Sequence, residues 1–94
     1  MNVIVTDNPK ACGYDAVRDE ATIHREDADW MKELAGNIKR TKDKAIIRQA
    51  EREFHDEMVT RYGNTVAGEL LMKLWQATKE EFPYPFPAVS LAVY

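Results

Sequence analysis

Met58-Val59-Thr60-Arg61-Tyr62-Gly63-Asn64-Thr65-Val66-Ala67-Gly68-Glu69-Leu70-Leu71-Met72-Lys73-Leu74-Trp75 is the most sharply punctuated segment of the chain. Gly63 stands where a helix closes on a left-handed residue, a conformation that glycine adopts without steric penalty. Asn64 and Thr65 supply side-chain oxygens suited to capping the next helix. From there Val66, Ala67, Leu70, Leu71, Leu74 and Trp75 recur at helical spacing and extend to Phe82, one wide apolar stripe. So short a connection makes the flanking helices antiparallel neighbours, a helical hairpin.

Working back from Gly63, Ile46, Ile47, Ala50, Phe54, Met58 and Tyr62 mark the apolar side of a helix over residues 42–62. Before it, Trp30, Met31, Leu34, Ala35 and Ile38 share a face of a helix over 27–40. Glu26, Asp27 and Asp29 stand at its start and Lys39 and Arg40 at its end, the signs that the helix dipole favours. Continuing the first stripe would turn Thr41, Ala45 and Arg48 inward, out of phase with the second. The pattern therefore predicts a break near Thr41.

The ends read differently. Residues 2–6 are rich in β-branched types and stop at Asp7-Asn8-Pro9, a turn cluster, which predicts one short strand. Residues 8–22 show weak periodicity and read as a loop with one helical turn around Tyr14 to Arg18. Phe82-Pro83-Tyr84-Pro85-Phe86-Pro87 excludes helix and favours an extended, polyproline-like backbone. The apolar run 88–94 is strand-like, with Val89, Leu91 and Val93 on one side. The two terminal strands can pair as a minor two-stranded ribbon resting on the helices, since such a ribbon is marginal alone. The expected architecture is mainly α: three helices including a hairpin, in a single domain over 1–94 with 83–94 as an extended tail.

Composition agrees with one globular unit: ninety-four residues, 45% hydrophobic and 31% charged. A net charge of -3 argues against general coating of nucleic acid, whose affinity comes mostly from neutralising phosphates. That figure averages unlike regions. Lys39, Arg40, Lys42, Lys44 and Arg48 oppose only Asp43 between residues 37 and 48, leaving eight bases against fifteen acids elsewhere. No run approaches the length of a membrane span, and the start lacks the basic region and apolar core of a secretion signal. One cysteine, Cys12, excludes an internal disulfide and fits a reducing compartment. These readings point to the cytoplasm.

Two candidate sites emerge. The tail residues Phe82, Tyr84, Phe86, Leu91 and Tyr94 offer a pre-extended apolar ligand for a protein groove, or else a cover for the protein's own hairpin. The bases Lys39, Arg40, Lys42, Lys44 and Arg48 suit phosphate or an acidic protein surface, though a solvated helix end has the same composition. Glu51 and His55 share a helix face, but the zinc-protease pattern needs two histidines there, and His24 lies in another segment. Cys12 has only Lys10 nearby to activate it. No phosphate loop is present, the glycines being scattered at 13, 36, 63 and 68. No catalytic residue, metal ligand or cofactor is expected. Trp30, Phe54, Leu70, Leu74 and Trp75 read as core, and Trp75→Ala carries an expected loss of about 3 to 5 kcal/mol.

Two functional readings follow. The first is a non-enzymatic interaction module that binds a larger protein complex and modulates or inhibits it. The second is a small nucleic-acid-associated protein using the 39–48 patch, although the expected helices are long and their turn tight for a helix-turn-helix. Association with a second copy is another way to cover a wide apolar stripe. A one-domain acidic chain with a Met1-to-Thr6 strand, helices stacked on Trp30 and Trp75, one unpaired cysteine and no catalytic motif resembles the accessory proteins of temperate bacteriophages. Among them the anti-RecBCD modulators and anti-defence inhibitors are similar in size. The resemblance implies a viral protein acting on a host recombination nuclease or defence complex.

Overall fold

The computed structural model describes residues 1–79 and 90–92. Strand β1 (Asn2–Thr6) is followed by a single 3-10 turn at Pro9–Ala11, then β2 (Gly13–Asp15) and β3 (Glu20–His24). Helices α1 (Arg25–Arg40), α2 (Lys44–Tyr62) and α3 (Asn64–Lys79) come next, and a short β4 (Ser90–Ala92) ends the described chain. The protein is thus mostly helical with a small sheet, as the stripes predict.

The sheet is larger than a ribbon of the two ends. Its order is β2-β3-β1-β4, with β1 parallel to both β3 and β4, and β2 antiparallel to β3. The terminal strands do pair, Val5 opposite Leu91, but β3 lies on the other side of β1. Residues 13–24 therefore form a hairpin where the sequence suggested a loop with a helical turn. Asp15 turns the chain, its Oδ1 accepting the N–H groups of Val17 (3.0 Å) and Arg18 (3.3 Å). Asp19 then takes a left-handed φ of 48°, which aspartate tolerates better than most residues. Asp19 also ties the start of β1, its carbonyl accepting from Asn2 N–H at 3.0 Å and its carboxylate meeting the Met1 ammonium at 3.4 Å.

Alternation places Val3 and Val5 of β1 beside Ala21 and Ile23 of β3, all buried on one face. Met31, Leu34, Ala35 and Ile38 of α1 join them in one core, together with Val66, Ala67, Leu70, Leu74 and Ala77 of α3. Helix α3 packs against both α1 and α2, which makes it the central helix. The expected break near Thr41 is present: residues 41–43 are non-helical, and the Asp43 carboxylate caps α2 by accepting from Ala45 N–H at 2.9 Å. The tryptophans lie further out than their hydrophobicity suggests. Phe54, Leu70 and Leu74 are fully buried, whereas Trp30 and Trp75 are half-buried at the core's margin.

Gly63 alone separates α2 from α3. Its N–H donates to Val59 O at 2.9 Å and its carbonyl accepts from Ala67 N–H at 3.0 Å, so one residue closes one helix and opens the next. Asn64 and Thr65 consequently lie inside α3 and do not precede it. The backbone at Gly63, φ 89° and ψ 170°, belongs to a region that only glycine enters readily. A methyl group there meets no atom within 4 Å, so the cost of Gly63→Ala is purely conformational. We expect a loss of about 1 to 2 kcal/mol in urea denaturation. An unchanged midpoint would show that the link relaxes freely.

Candidate functional site

The parallel strands β1 and β3 end side by side, Thr6 opposite His24, and β3 runs straight into α1. A cleft of about 530 Å³ opens there, lined in part by Cys12, His24, Asp27, Arg61 and Tyr62. His24 is the N-cap of α1, its Nδ1 accepting from Glu26 N–H at 3.2 Å. Asp27, in the first turn, is 2% exposed. Arg61 donates to its Oδ1 and the Tyr62 hydroxyl to its Oδ2. The same hydroxyl accepts from His24 N–H at 2.9 Å, and Arg61 reaches Glu57 at 3.4 Å. A buried carboxylate is tolerable only with such partners, and the positive end of α1 adds to them.

These bonds decide what the cleft can do. Burial and the bond to Asp27 push the Tyr62 phenol well above its ordinary value, so it stays a donor. Burial also pushes the Cys12 thiol up, against the direction a thiolate nucleophile needs. The cleft therefore reads as a lock joining β3, the start of α1 and the end of α2. Among the described residues no group of three His, Cys, Asp or Glu side chains is placed to hold a metal ion.

The lock carries a pH signature. Above the ordinary tyrosine value of 10.0 the unfolded chain loses the phenolic proton first, binds fewer protons than the folded one, and stability falls as pH rises. The contribution of Tyr62 is whole below that value and shrinks above it. Tyr14, raised by its bond to Asp19, responds in the same direction in any Tyr62 variant, so a comparison isolates Tyr62. The advantage of the natural protein over Tyr62→Phe should narrow in thermal melts between about pH 8 and pH 11. Parallel melting curves across that range would contradict the assignment.

The basic patch is where its sequence placed it. Lys39 and Arg40 end α1, Lys42 lies in the link, and Lys44 and Arg48 begin α2, all exposed. Arg40 is held to Asn37 at 2.6 Å. The sequence pattern missed its continuation: Lys44, Arg48 and Arg52 stand four apart, a row along one side of α2. None of these three makes an ion pair or hydrogen bond with a described residue. Between this row and α3 lies a groove of about 330 Å³, lined by Arg48, Glu51, Arg52, His55 and Leu71. Glu51 and His55, which share a face of α2, both line this groove.

Of the tail residues, Leu91 is in β4 and pairs through its backbone with Val5. Phe82, Tyr84, Phe86 and Tyr94 lie outside the described residues. No helix among the described residues is long and apolar enough to cross a membrane. No protein-family model matches the chain, and no curated protein or solved structure does.

Proposed function

We propose that the chain is a non-enzymatic interaction module that docks on a larger protein and modulates or inhibits it. The exposure of α2 carries this reading. Nineteen residues long, it buries only Phe54 and Met58, and its first ten residues, 44–53, bury none. Helices in proteins gain most of their stability from a packed face, so a helix whose first half sets only the half-buried Ile47 and Ala50 against the core leaves a surface suited to a partner. Taken as an antiparallel hairpin, α2 and α3 present that surface beside the exposed Met72 and Ile46. Mutual engagement of Asp27, Arg61 and Tyr62 supports a structural role for the cleft and a module without chemistry of its own.

The resemblance to phage accessory proteins makes a host recombination nuclease or defence complex in the cytoplasm the first partner to try. The test is reconstitution with each purified complex, read by analytical ultracentrifugation and by the complex's own activity. Co-sedimentation with altered activity is expected. A chain that sediments alone or only as a homodimer, with every complex unaffected, would sink the reading.

A nucleic-acid role is the second reading, favoured by the run of exposed bases from Lys39 to Arg52. It requires binding that weakens steeply with salt and collapses when Lys39, Arg40 and Lys42 are replaced.

A further inference from the structure

We propose that the groove between α2 and α3 receives an acidic amphipathic segment of a protein partner, a proposal that rests on the docking role above and names its site. Three features of the groove and of the helix faces that flank it carry the proposal. The first is the row Lys44, Arg48 and Arg52. Like charges four apart on a helix repel one another, and no carboxylate among the described residues forms an ion pair with these three. Glu51 is the one acid in the groove wall, and it leaves the row in excess.

The second feature is the apolar flank of α3. Gly68, Leu71, Met72 and Trp75 recur at i, i+3, i+4 and i+7, hence on one side of the helix. Leu71 lines the groove, Met72 is 61% exposed, and Leu71 and Trp75 are half-buried. An occupant that is acidic on one edge and apolar on the other satisfies both walls together. The third is Gly68 itself. A glycine inside a helix is less favourable than alanine, and here a Cβ would meet nothing within 4 Å. The packing of the described fold therefore gives no reason for glycine, whereas close approach of another backbone does.

The same geometry disfavours nucleic acid as the occupant. Glu53, Asp56 and Glu57 follow on α2 within the next turns, so an extended polyanion running past Arg52 meets carboxylates. A phosphate backbone also makes no use of Leu71 and Met72. A short segment from a protein avoids the first and uses the second, in the manner of helix-in-groove recognition.

The experiment places a photo-crosslinking amino acid at position 72 of the full chain, and a control at Val17, which is 96% exposed on the β2–β3 turn. Irradiation in the cells that produce the protein is followed by mapping of the crosslinked peptide. The expected product at position 72 is a protein peptide rich in Asp and Glu with apolar residues at helical spacing. Reversal of the row (Lys44→Glu, Arg48→Glu, Arg52→Glu), all at exposed positions, should weaken binding of the purified captured protein on the order of tenfold or more. Circular dichroism and melting temperature serve as controls for folding. If the triple variant fails to fold, Met72→Glu alone supplies the test, with the same expected loss. Crosslinking to nucleic acid, to a second copy of the chain, or to a peptide without acidic excess would overturn the proposal, as would unchanged affinity after reversal. A protein captured from position 17 and not from 72 leaves the docking role standing and removes the groove. Capture of no protein from either position removes both.

Discussion

Phe54→Ala should lower the stability of this protein by about 3 to 5 kcal/mol, the largest loss expected from a single truncation. Phe54 is 0% exposed, and with Met58 it is one of only two fully buried side chains on α2. Its ring also meets that of Trp30 in a T-shaped contact, centroids 5.3 Å apart at 66°, which joins α2 to α1. Truncation removes the transfer contribution, opens a cavity and breaks that pair together. A domain of this size has a total stability of roughly 5 to 15 kcal/mol, so much of it depends on one ring. Denaturant titration would show the midpoint moving far toward zero, and a shift under about 1 kcal/mol would mean that α2 is not held through Phe54. Trp75→Ala, which the sequence alone ranks as equal, is expected to cost less. Its ring is half-buried, so less area is lost and the gap is open to water.

That contrast shows which parts of the fold are legible in the residues. Helical stripes give the three helices and the break at 41–43, because burial in a helix repeats over many residues and survives local noise. They do not rank residues within a stripe, since depth depends on where α3 sits between its neighbours. The hairpin at residues 13–24 escapes for another reason. Ala21 and Ile23 alternate with Glu20, Thr22 and His24, but the alternation spans only five residues and passes into α1 with no Gly or Pro to mark the change. Asp15 and Asp19 make the turn through side-chain and left-handed geometry that composition reports only faintly. The candidate surface was legible by half. Local charge density reveals the bases from Lys39 to Arg48; Arg52 follows only from the four-residue spacing, and the meeting with Leu71 depends on the packing of α2 on α3.

The lock at Asp27 was hidden by its own sign. Running the α1 stripe back four residues from Met31 lands on Asp27, so the phase that buries Met31 buries an acid. An acid at a helix start is ordinarily read as dipole compensation, and that reading is correct here as well. It does not reveal that the carboxylate is 2% exposed and faces Arg61 and Tyr62 from the far end of α2. The partners are more than thirty residues away in sequence, beyond any local pattern.

Arg61→Ala should therefore cost about 3 kcal/mol, near the lower end for breaking a buried ion pair. It leaves the Asp27 carboxylate buried with only the Tyr62 hydroxyl and the α1 N-terminus to stabilise its charge. Asp27→Ala should cost less, about 2 kcal/mol, because the side chain left behind differs in exposure. Arg61 is 46% exposed and can be rehydrated, so the main remaining penalty is a Tyr62 hydroxyl deprived of its acceptor. Once Asp27 is gone, removing Arg61 as well should change little, so the double variant falls near Asp27→Ala and well short of the sum. The asymmetry is the decisive feature. Were the pair an ordinary surface bridge, both single losses would lie within about 1 kcal/mol of zero and would shrink with added salt. A buried lock instead predicts a larger penalty for losing the arginine than for losing the acid, with little response to ionic strength. Equal, small and salt-sensitive losses in a double-mutant cycle at neutral pH would show that Asp27 is reached by water and that the charge pair does not hold α1 to α2.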